Sequence, residues 1–237
     1  MANRHLRGLT DDEIYARWQE RFERVRLELT FLFSVRRKFR QVQAMFTDNK
    51  RLNAIGSQAW GWVLLLWGRD AVMAVRRELD DDTNTISLGT LLDEMAARPD
   101  VLTRRRYMAH MTGCDETLIH LNDEAFTKRG IIASASDRTG DHLDPAAILA
   151  DRDGLVGAAS PVIKYANLMI AHRSPVEGLE MTVEDIHVAL DAMQPVVKKY
   201  HVLLSGSALT AIEPTEVGDD WREAFTFAWF DRPQRGA

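Results

Sequence analysis

Hydrophobic residues recur at helical spacing along most of the chain, and the clearest stripe lies near its start. Thr10 and Glu13 form a capping box, in which a hydroxyl and a carboxylate each satisfy a free backbone amide at a helix N-terminus. One helix face then stays apolar for about five turns, through Ile14, Trp18, Phe22, Val25, Leu29 and Leu32. The pattern predicts a long helix that continues through Phe46 and ends at Asp48 and Asn49.

A second helical segment begins near Gly56 and is apolar on nearly every side. Its main stripe comprises Trp60, Val63, Leu64, Trp67, Ala71, Ala74 and Val75, and further apolar surface comes from Leu65, Leu66 and Val72. A helix that is apolar all round is typical of the centre of a bundle. We therefore expect this segment to be buried among the other helices.

Three shorter helices are predicted next, at about 87–97, 102–112 and 115–128. The N-terminal helices together span residues 10–128. From Gly130 to Asp144 the chain is rich in Ser, Gly, Asp and Thr, which favour turns and loops. We expect a flexible loop over residues 129–152.

A pair of long helices is predicted over residues 153–206. The second helix of the pair is capped by Thr182 and Asp185 and is stopped by Gly206. An extended tail follows over residues 207–237, with aromatic side chains at Trp221, Phe225, Phe227, Trp229 and Phe230. Such side chains need a groove, either in this chain or in a partner.

The pattern as a whole predicts an all-α fold. No Gly, Asn or Asp turn separates two alternating apolar runs, as a β-hairpin would require. We expect a single domain over residues 1–237. Its architecture is predicted to be an antiparallel helical bundle with extra N-terminal long helices and an extended aromatic C-terminal arm.

The composition bears on the size of the core, on the cellular location and on membrane association. The chain has 237 residues, of which 46% are hydrophobic and 27% charged, so it can bury a substantial core. The single cysteine, Cys114, cannot form an internal disulfide, and no signal-peptide pattern is present at the start, so a cytoplasmic location is expected. The longest apolar run, from Trp62 to Trp67, is far shorter than the ~20 residues of a membrane span, so no membrane association is expected.

Charge is distributed unevenly around the net value of -5. Residues 1–79 carry 15 Lys and Arg against 9 Asp and Glu, a net +6, so the remainder carries -11. Basic side chains are densest at Arg36, Arg37, Lys38 and Arg40, and a second pair, Arg76 and Arg77, lies at a predicted helix end. These six residues are the predicted RNA-binding positions, because a basic stripe can follow a phosphate backbone. The alternative is a solvated helix face beside acidic neighbours.

The most suggestive chemistry is a His172-Arg173 pair that closes an apolar-periodic stretch just before Pro175. An imidazole and a guanidinium at a helix end can hold or attack a phosphodiester. Both also suit a plain structural role, because cations are favoured at helix C-termini. The seven histidines are scattered and form no zinc pattern, so no metal or other cofactor is expected.

Four short segments carry a resemblance to a known family: Arg17-Trp18 with Arg21-Phe22, Ala74–Arg77 leading to Ser87-Leu88 and Leu91-Leu92, Ala171–Arg173, and Trp221-Arg222. In order and spacing, the chain from about Tyr15 to Trp229 resembles the abortive-infection, AbiU-type branch of the HEPN superfamily. The resemblance implies a helical bundle that forms homodimers and, in active members, cuts RNA without a metal. It also implies phage defence or a toxin–antitoxin system, with RNA and an antitoxin protein as partners.

The resemblance implies that RNA cleavage in this family is carried by a histidine and by an arginine separated from it by four to six residues. His172 fits the histidine, but the three arginine positions hold Tyr165, Ala166 and Asn167. Around an ideal helix Tyr165 lies within about 20° of His172 and Lys164 within about 80°, whereas Asn167 is turned farther away. The predicted catalytic set is therefore His172, Arg173, Lys164, Tyr165 and Asn167. A formal match of Arg104 or Arg105 with His110 is expected by chance in a chain this rich in arginine.

Three functions remain open from the sequence. The first is a metal-independent endoribonuclease that leaves 2',3'-cyclic phosphate ends. The second is a catalytically inactive, HEPN-like dimeric module that binds RNA or protein. The third is a structural interaction protein that uses its aromatic C-terminal arm.

Overall fold

The long N-terminal helix begins and ends where the sequence predicts. A computed structural model describes residues 6–50, 58–132, 141–171 and 180–213. In it, α1 (Asp11–Asp48) starts with the capping box, since Thr10 Oγ1 accepts from the Glu13 amide at 3.3 Å and Glu13 Oε2 accepts from the Thr10 amide at 2.7 Å. The hydrogen bonds that the amide and the hydroxyl of Thr10 donate to the Glu13 carboxylate hold the pKa of Glu13 below its usual value. The helix then buries the predicted stripe from Ile14 to Leu32.

Helices account for nearly all of the regular structure, so the predicted all-α class is confirmed. After α1 come α2 (Gln58–Glu78), α3 (Leu88–Ala97), a 3-10 turn (Pro99–Val101), α4 (Arg104–Ala109), α5 (Glu116–Thr127), α6 (Pro145–Tyr165) and α7 (Val183–Ser205). A π-helical turn, Ala166–Ala171, extends α6. Two short strands, β1 (Ile131–Ile132) and β2 (His142–Leu143), pair antiparallel, with Ile131 opposite Leu143.

The predicted flexible loop over residues 129–152 needs correction at both ends. Its last part is helical, because Asp144 caps α6 by accepting from the Ala146 amide at 2.8 Å, and Pro145 suits the first helical position. Burial of Ile148 then anchors this first turn in the core. The two strands flank residues 133–140, which lie outside the described residues, as does most of the predicted aromatic arm, from residue 214 onward.

The core forms where α6 packs against α2, α3 and α7, and where α1 packs against the same three helices. In α2 the predicted central position is only half right. Its later turns are buried at Trp67, Ala71, Val72 and Val75, but Trp62, Leu65 and Leu66 are exposed by 69%, 56% and 71%. Among the described residues, no helix is both long and apolar enough to cross a membrane.

A buried ion pair joins α1 to α3. Glu94 is 3% exposed and accepts from Arg21 Nη1 at 2.5 Å and from Trp18 Nε1 at 3.1 Å. Arg21 also donates to the backbone carbonyl of Thr85 at 2.7 Å, in the turn before α3. Each buried charge is thus paired and hydrogen-bonded, as burial requires.

We expect Glu94→Ala to lower the free energy of unfolding by about 3 to 5 kcal/mol, because it leaves the Arg21 charge buried without its partner. Urea denaturation measures the change. Glu20→Ala is the control, since it removes an exposed pair with Arg24 and should cost at most about 1 kcal/mol. Equal losses in the two variants would show that the buried pair has no special role.

The last described helix, α7, ends at Gly206 in the left-handed region, with φ 68°. A Cβ atom added at this position would clash with the Cβ of His110, and the Nε2 of His110 lies 2.8 Å from the Tyr15 hydroxyl oxygen. Glycine is therefore required both for the backbone conformation and for the close approach.

Gly206→Ala should consequently be more destabilising than Gly113→Ala. Gly113 also has a positive φ, 88°, but an added Cβ there meets no atom within 4 Å. We expect a loss of about 1 kcal/mol at Gly113 from backbone strain alone and at least about 2 kcal/mol at Gly206. Thermal unfolding of the two variants measures the difference, and matching losses would argue against the contact with His110.

Candidate functional site

The predicted histidine-arginine pair follows directly on the π-helical turn. His172 and Arg173 lie outside the described residues, and the structure reaches Ala171. A π-helix bonds residue i to i+5, so each turn holds more residues than in an α-helix. The angle predicted between Tyr165 and His172 assumed an α-helix throughout and therefore does not apply. Single π-turns inside helices occur frequently at functional sites.

Arg76 and Asn167 meet beside this turn, although 91 residues separate them in sequence. The Nε of Arg76, near the end of α2, donates to Oδ1 of Asn167 at 2.5 Å. Sequence reasoning assigned Arg76 to RNA binding and Asn167 to the catalytic set, without connecting them. Asn167 is one of the three positions at which the family pattern would place its arginine, so a guanidinium from another helix lies against that position.

The two side chains border a cavity of about 310 Å³ between α6 and the end of α2. Its lining comprises Arg76, Leu79, Asp80, Asp81, Arg152, Val156, Ile163 and Asn167. Arg152 forms an ion pair with Asp93 at 2.7 Å, and burial raises the pKa of Asp93 even though the Arg152 charge lowers it. The cavity is therefore lined by both basic and acidic side chains. Arg76 is hydrogen-bonded to the uncharged amide of Asn167.

Lys164 and Tyr165 do not share this cavity. Tyr165 and Asn167 are two residues apart, which places them on different sides of the helix. Tyr165 lines a separate apolar groove between α2 and the start of α7, and Lys164 is exposed to solvent. Of the predicted catalytic residues on α6, the structure places only Asn167 against a cation in the part of the chain it describes.

The four residues of the predicted basic stripe on α1 differ in their exposure to solvent. Arg36 is 5% exposed, pairs with Asp191 of α7 at 2.5 Å and lies over the Phe33 ring, so it is not presented to a phosphate backbone. Its position continues the apolar stripe of Leu29 and Leu32, a signal the sequence contained. Arg40 is exposed, while Arg37 and Lys38 are half-buried and engaged in other interactions.

The remaining sequence candidates have structural partners. Arg77 forms an exposed pair with Glu28 at 2.9 Å. The guanidinium of Arg104 is buried. It contacts Asp123 and Thr127 of α5 and Asp141, the residue directly before β2. The formal match of Arg104 with His110 therefore joins two residues with separate packing roles.

Comparison with known proteins adds no relative to this picture. No family model, no curated protein and no solved structure matches the chain. Within the described ranges, no three His, Cys, Asp or Glu side chains cluster in a way that could hold a metal ion.

Sequence reasoning missed one buried acid next to the cavity. Glu78, the last residue of α2, is 3% exposed, and its Oε2 accepts from the Leu88 amide at 3.2 Å. Burial raises the pKa of Glu78 to about 7, although the Leu88 hydrogen bond and the Arg77 charge both lower it. No local pattern marks this residue, because its burial depends on how α3 folds back over the end of α2.

The protonation of Glu78 should make stability depend on pH. An unfolded glutamate loses its proton near pH 4.5, whereas the folded one holds it to about pH 7. Between these values the folded state binds more protons, so the free energy of unfolding falls as pH rises, and this contribution is constant above about pH 7. We expect the free energy of unfolding of Glu78→Gln to lack this fall. From pH 5 to pH 8, the difference in free energy of unfolding between the variant and wild type should therefore change by on the order of 2 kcal/mol in favour of the variant. Urea denaturation at both pH values tests this, and parallel profiles would contradict it.

Proposed function

We propose that this protein is a HEPN-like, metal-independent endoribonuclease of a phage-defence or toxin–antitoxin system, with its site at the end of α6. The observation that carries the proposal is the hydrogen bond from Arg76 to Asn167. The sequence of α6 lacks the family's arginine before His172, and Arg76 supplies a guanidinium next to one of the positions where it belongs. The π-helical turn that leads to His172 supports the same location.

In the proposed reaction His172 takes the proton of an RNA 2'-hydroxyl, and the 2'-oxygen then attacks the adjacent phosphorus. The bond from phosphorus to the 5'-oxygen breaks, and that oxygen takes up a proton from water. The products are a 2',3'-cyclic phosphate and a 5'-hydroxyl end. Arg76, with Arg173, stabilises the charge that accumulates on the phosphoryl oxygens in the transition state.

A second candidate is a non-catalytic module that binds RNA or protein. Asp80 and Asp81 line the same cavity as Arg76, and Arg152 is already paired with Asp93. This mixed charge attracts a polyanion less strongly than a uniformly basic cleft would. In this alternative the Arg76–Asn167 hydrogen bond only joins α2 to the end of α6.

Cleavage of a labelled single-stranded RNA in the presence of EDTA tests the proposal. We expect wild type to release 2',3'-cyclic phosphate ends, His172→Ala to lose about 100-fold or more in rate, and Arg76→Ala to lose about 100- to 1,000-fold. Arg24→Ala is the control, since this guanidinium pairs with exposed Glu20 on α1 and is not among the predicted RNA-binding positions, and its rate should stay within about twofold.

Two outcomes would reject the nuclease. Unchanged cleavage by a folded His172→Ala variant would remove the proposed base, and circular dichroism shows whether that variant is folded. Tight RNA binding by wild type without any turnover would assign the protein to the second candidate.

A further inference from the structure

A second cavity adjoins the one that Arg76 lines. Its volume is about 450 Å³, which lies in the range of small-molecule pockets. Asp81 lines both cavities. Asp93 lines the second cavity, and its Oδ1 pairs at 2.7 Å with the Nε of Arg152, which lines the first. The two cavities are therefore neighbours, and one ion pair lies at their boundary.

The walls of the second cavity combine apolar and polar groups. The apolar part is formed by Ala96 and Ala97 at the end of α3 and by Leu149 of α6. Thr83 adds a hydroxyl group and Asp93 a carboxylate. Apolar walls with a few polar groups that fix orientation are usual in sites for small organic ligands. The lining therefore suits an uncharged ring whose edge carries hydrogen-bonding groups.

Asp93 is the carboxylate in this cavity that is held in place and still has acceptor capacity. Glu94 also lines the cavity, but Arg21 and Trp18 already donate to its two oxygens. Asp93 is half-buried and is fixed through Oδ1 by Arg152. A carboxylate offers about four acceptor positions, so the ion pair leaves room for further donors. Burial raises the pKa of Asp93, and hydrogen bonds are stronger where water is partly excluded.

We infer that the second cavity is a guanine-binding pocket, which receives the base of the nucleotide whose 3'-phosphate lies at Arg76. The inference rests on the proposed RNA cleavage and names the base next to the cut. Guanine carries two adjacent donors on its Watson–Crick edge, N1–H and the N2 amino group, whereas adenine, cytosine and uracil each carry one donor group there. A carboxylate accepts from both donors at once. Asp93 is therefore the specificity-determining residue.

This pocket explains why acidic side chains lie beside a site for a phosphate. Carboxylates repel a polyanion, but a base is uncharged and donates hydrogen bonds to them. Phosphate contacts position a nucleic acid, whereas base contacts specify its sequence. Arg76 supplies the first kind of contact and Asp93 the second. One ribose separates a base from its 3'-phosphate, so the two sites must adjoin, and the two cavities do so at Asp81.

Binding of nucleoside 3'-monophosphates measures the pocket without any turnover. We expect guanosine 3'-monophosphate to bind wild type at least about 10-fold more tightly than the inosine and adenosine analogues, since inosine lacks only the N2 amino group. Isothermal titration calorimetry of the full chain gives the dissociation constants. Similar constants for the three nucleotides, or binding of none of them, would overturn the inference.

Two substitutions separate base recognition from phosphate binding. Asp93→Asn should remove the preference for guanosine, because an amide replaces one acceptor oxygen by a donor. Arg76→Ala should weaken the binding of all three nucleotides by a similar factor and keep the preference. Asp153→Asn is the matched control for Asp93→Asn, since Asp153 is an exposed aspartate 3.7 Å from Arg152 that does not line the cavity. An Asp93→Asn variant that keeps the preference would contradict the assignment.

Ala97→Leu tests the cavity without removing the ion pair. Ala97 is half-buried in the cavity wall, and a larger side chain there occupies space that the base needs. We expect the binding of all three nucleotides to weaken about 10-fold or more, and circular dichroism shows whether the variant is folded. Unchanged binding of guanosine 3'-monophosphate by the folded variant would place the base elsewhere and overturn the inference.

Cleavage of a single-stranded RNA that contains all four bases distinguishes failure of this inference from failure of the nuclease. We expect wild type to cut at the phosphate that follows guanosine, and Asp93→Asn to cut after all four bases. Cutting by wild type without base preference would overturn the pocket and keep the nuclease. Preferential binding of guanosine 3'-monophosphate without any cutting would keep the pocket and reject the nuclease.

Discussion

The buried carboxylate of Glu94 is the constraint on which the arrangement of the helices depends. A charge this deep is tolerated only when hydrogen bonds replace its lost water, and both Arg21 and Trp18 of α1 donate to it. Arg21 also reaches the Thr85 carbonyl, so the same guanidinium holds the turn that enters α3. That turn begins with Asp80, which lines the Arg76 cavity. One ion pair in the core thereby positions a surface site.

The position of α3 in turn fixes the position of α6. The two helices pack together, and the ion pair from Arg152 to Asp93 joins them at the edge of the cavity. This packing directs the end of α6 toward the last turns of α2, where Arg76 meets Asn167. The cation of the proposed site comes from a neighbouring helix, so its position depends on tertiary packing and not on spacing along one helix. The proposed site is therefore as sensitive to the core as to its own residues.

Local signals in the sequence predicted the helices whose ends carry a cap. Thr10, Thr182 and Gly206 act in the structure as their residue types indicate, because capping depends on neighbours a few residues away. Asp144-Pro145 also carried an N-terminal signature, but the turn-rich residues before it favoured a loop over the whole segment. Contacts across the fold lay beyond such signals: the Arg76–Asn167 bond joins distant segments, and the π-turn has no simple sequence pattern.

The mixed outcome for α2 has a physical explanation. Hydrophobic periodicity predicts that a helix face is apolar, but it does not predict what packs against that face. Trp67 and Val75 meet their own core, where Trp67 stacks on Phe39 of α1 with ring centroids 3.9 Å apart. Trp62 and Leu66 point away from that core and are exposed by 69% and 71%. Apolar residues on every side of a helix therefore do not by themselves place that helix at the centre of a bundle.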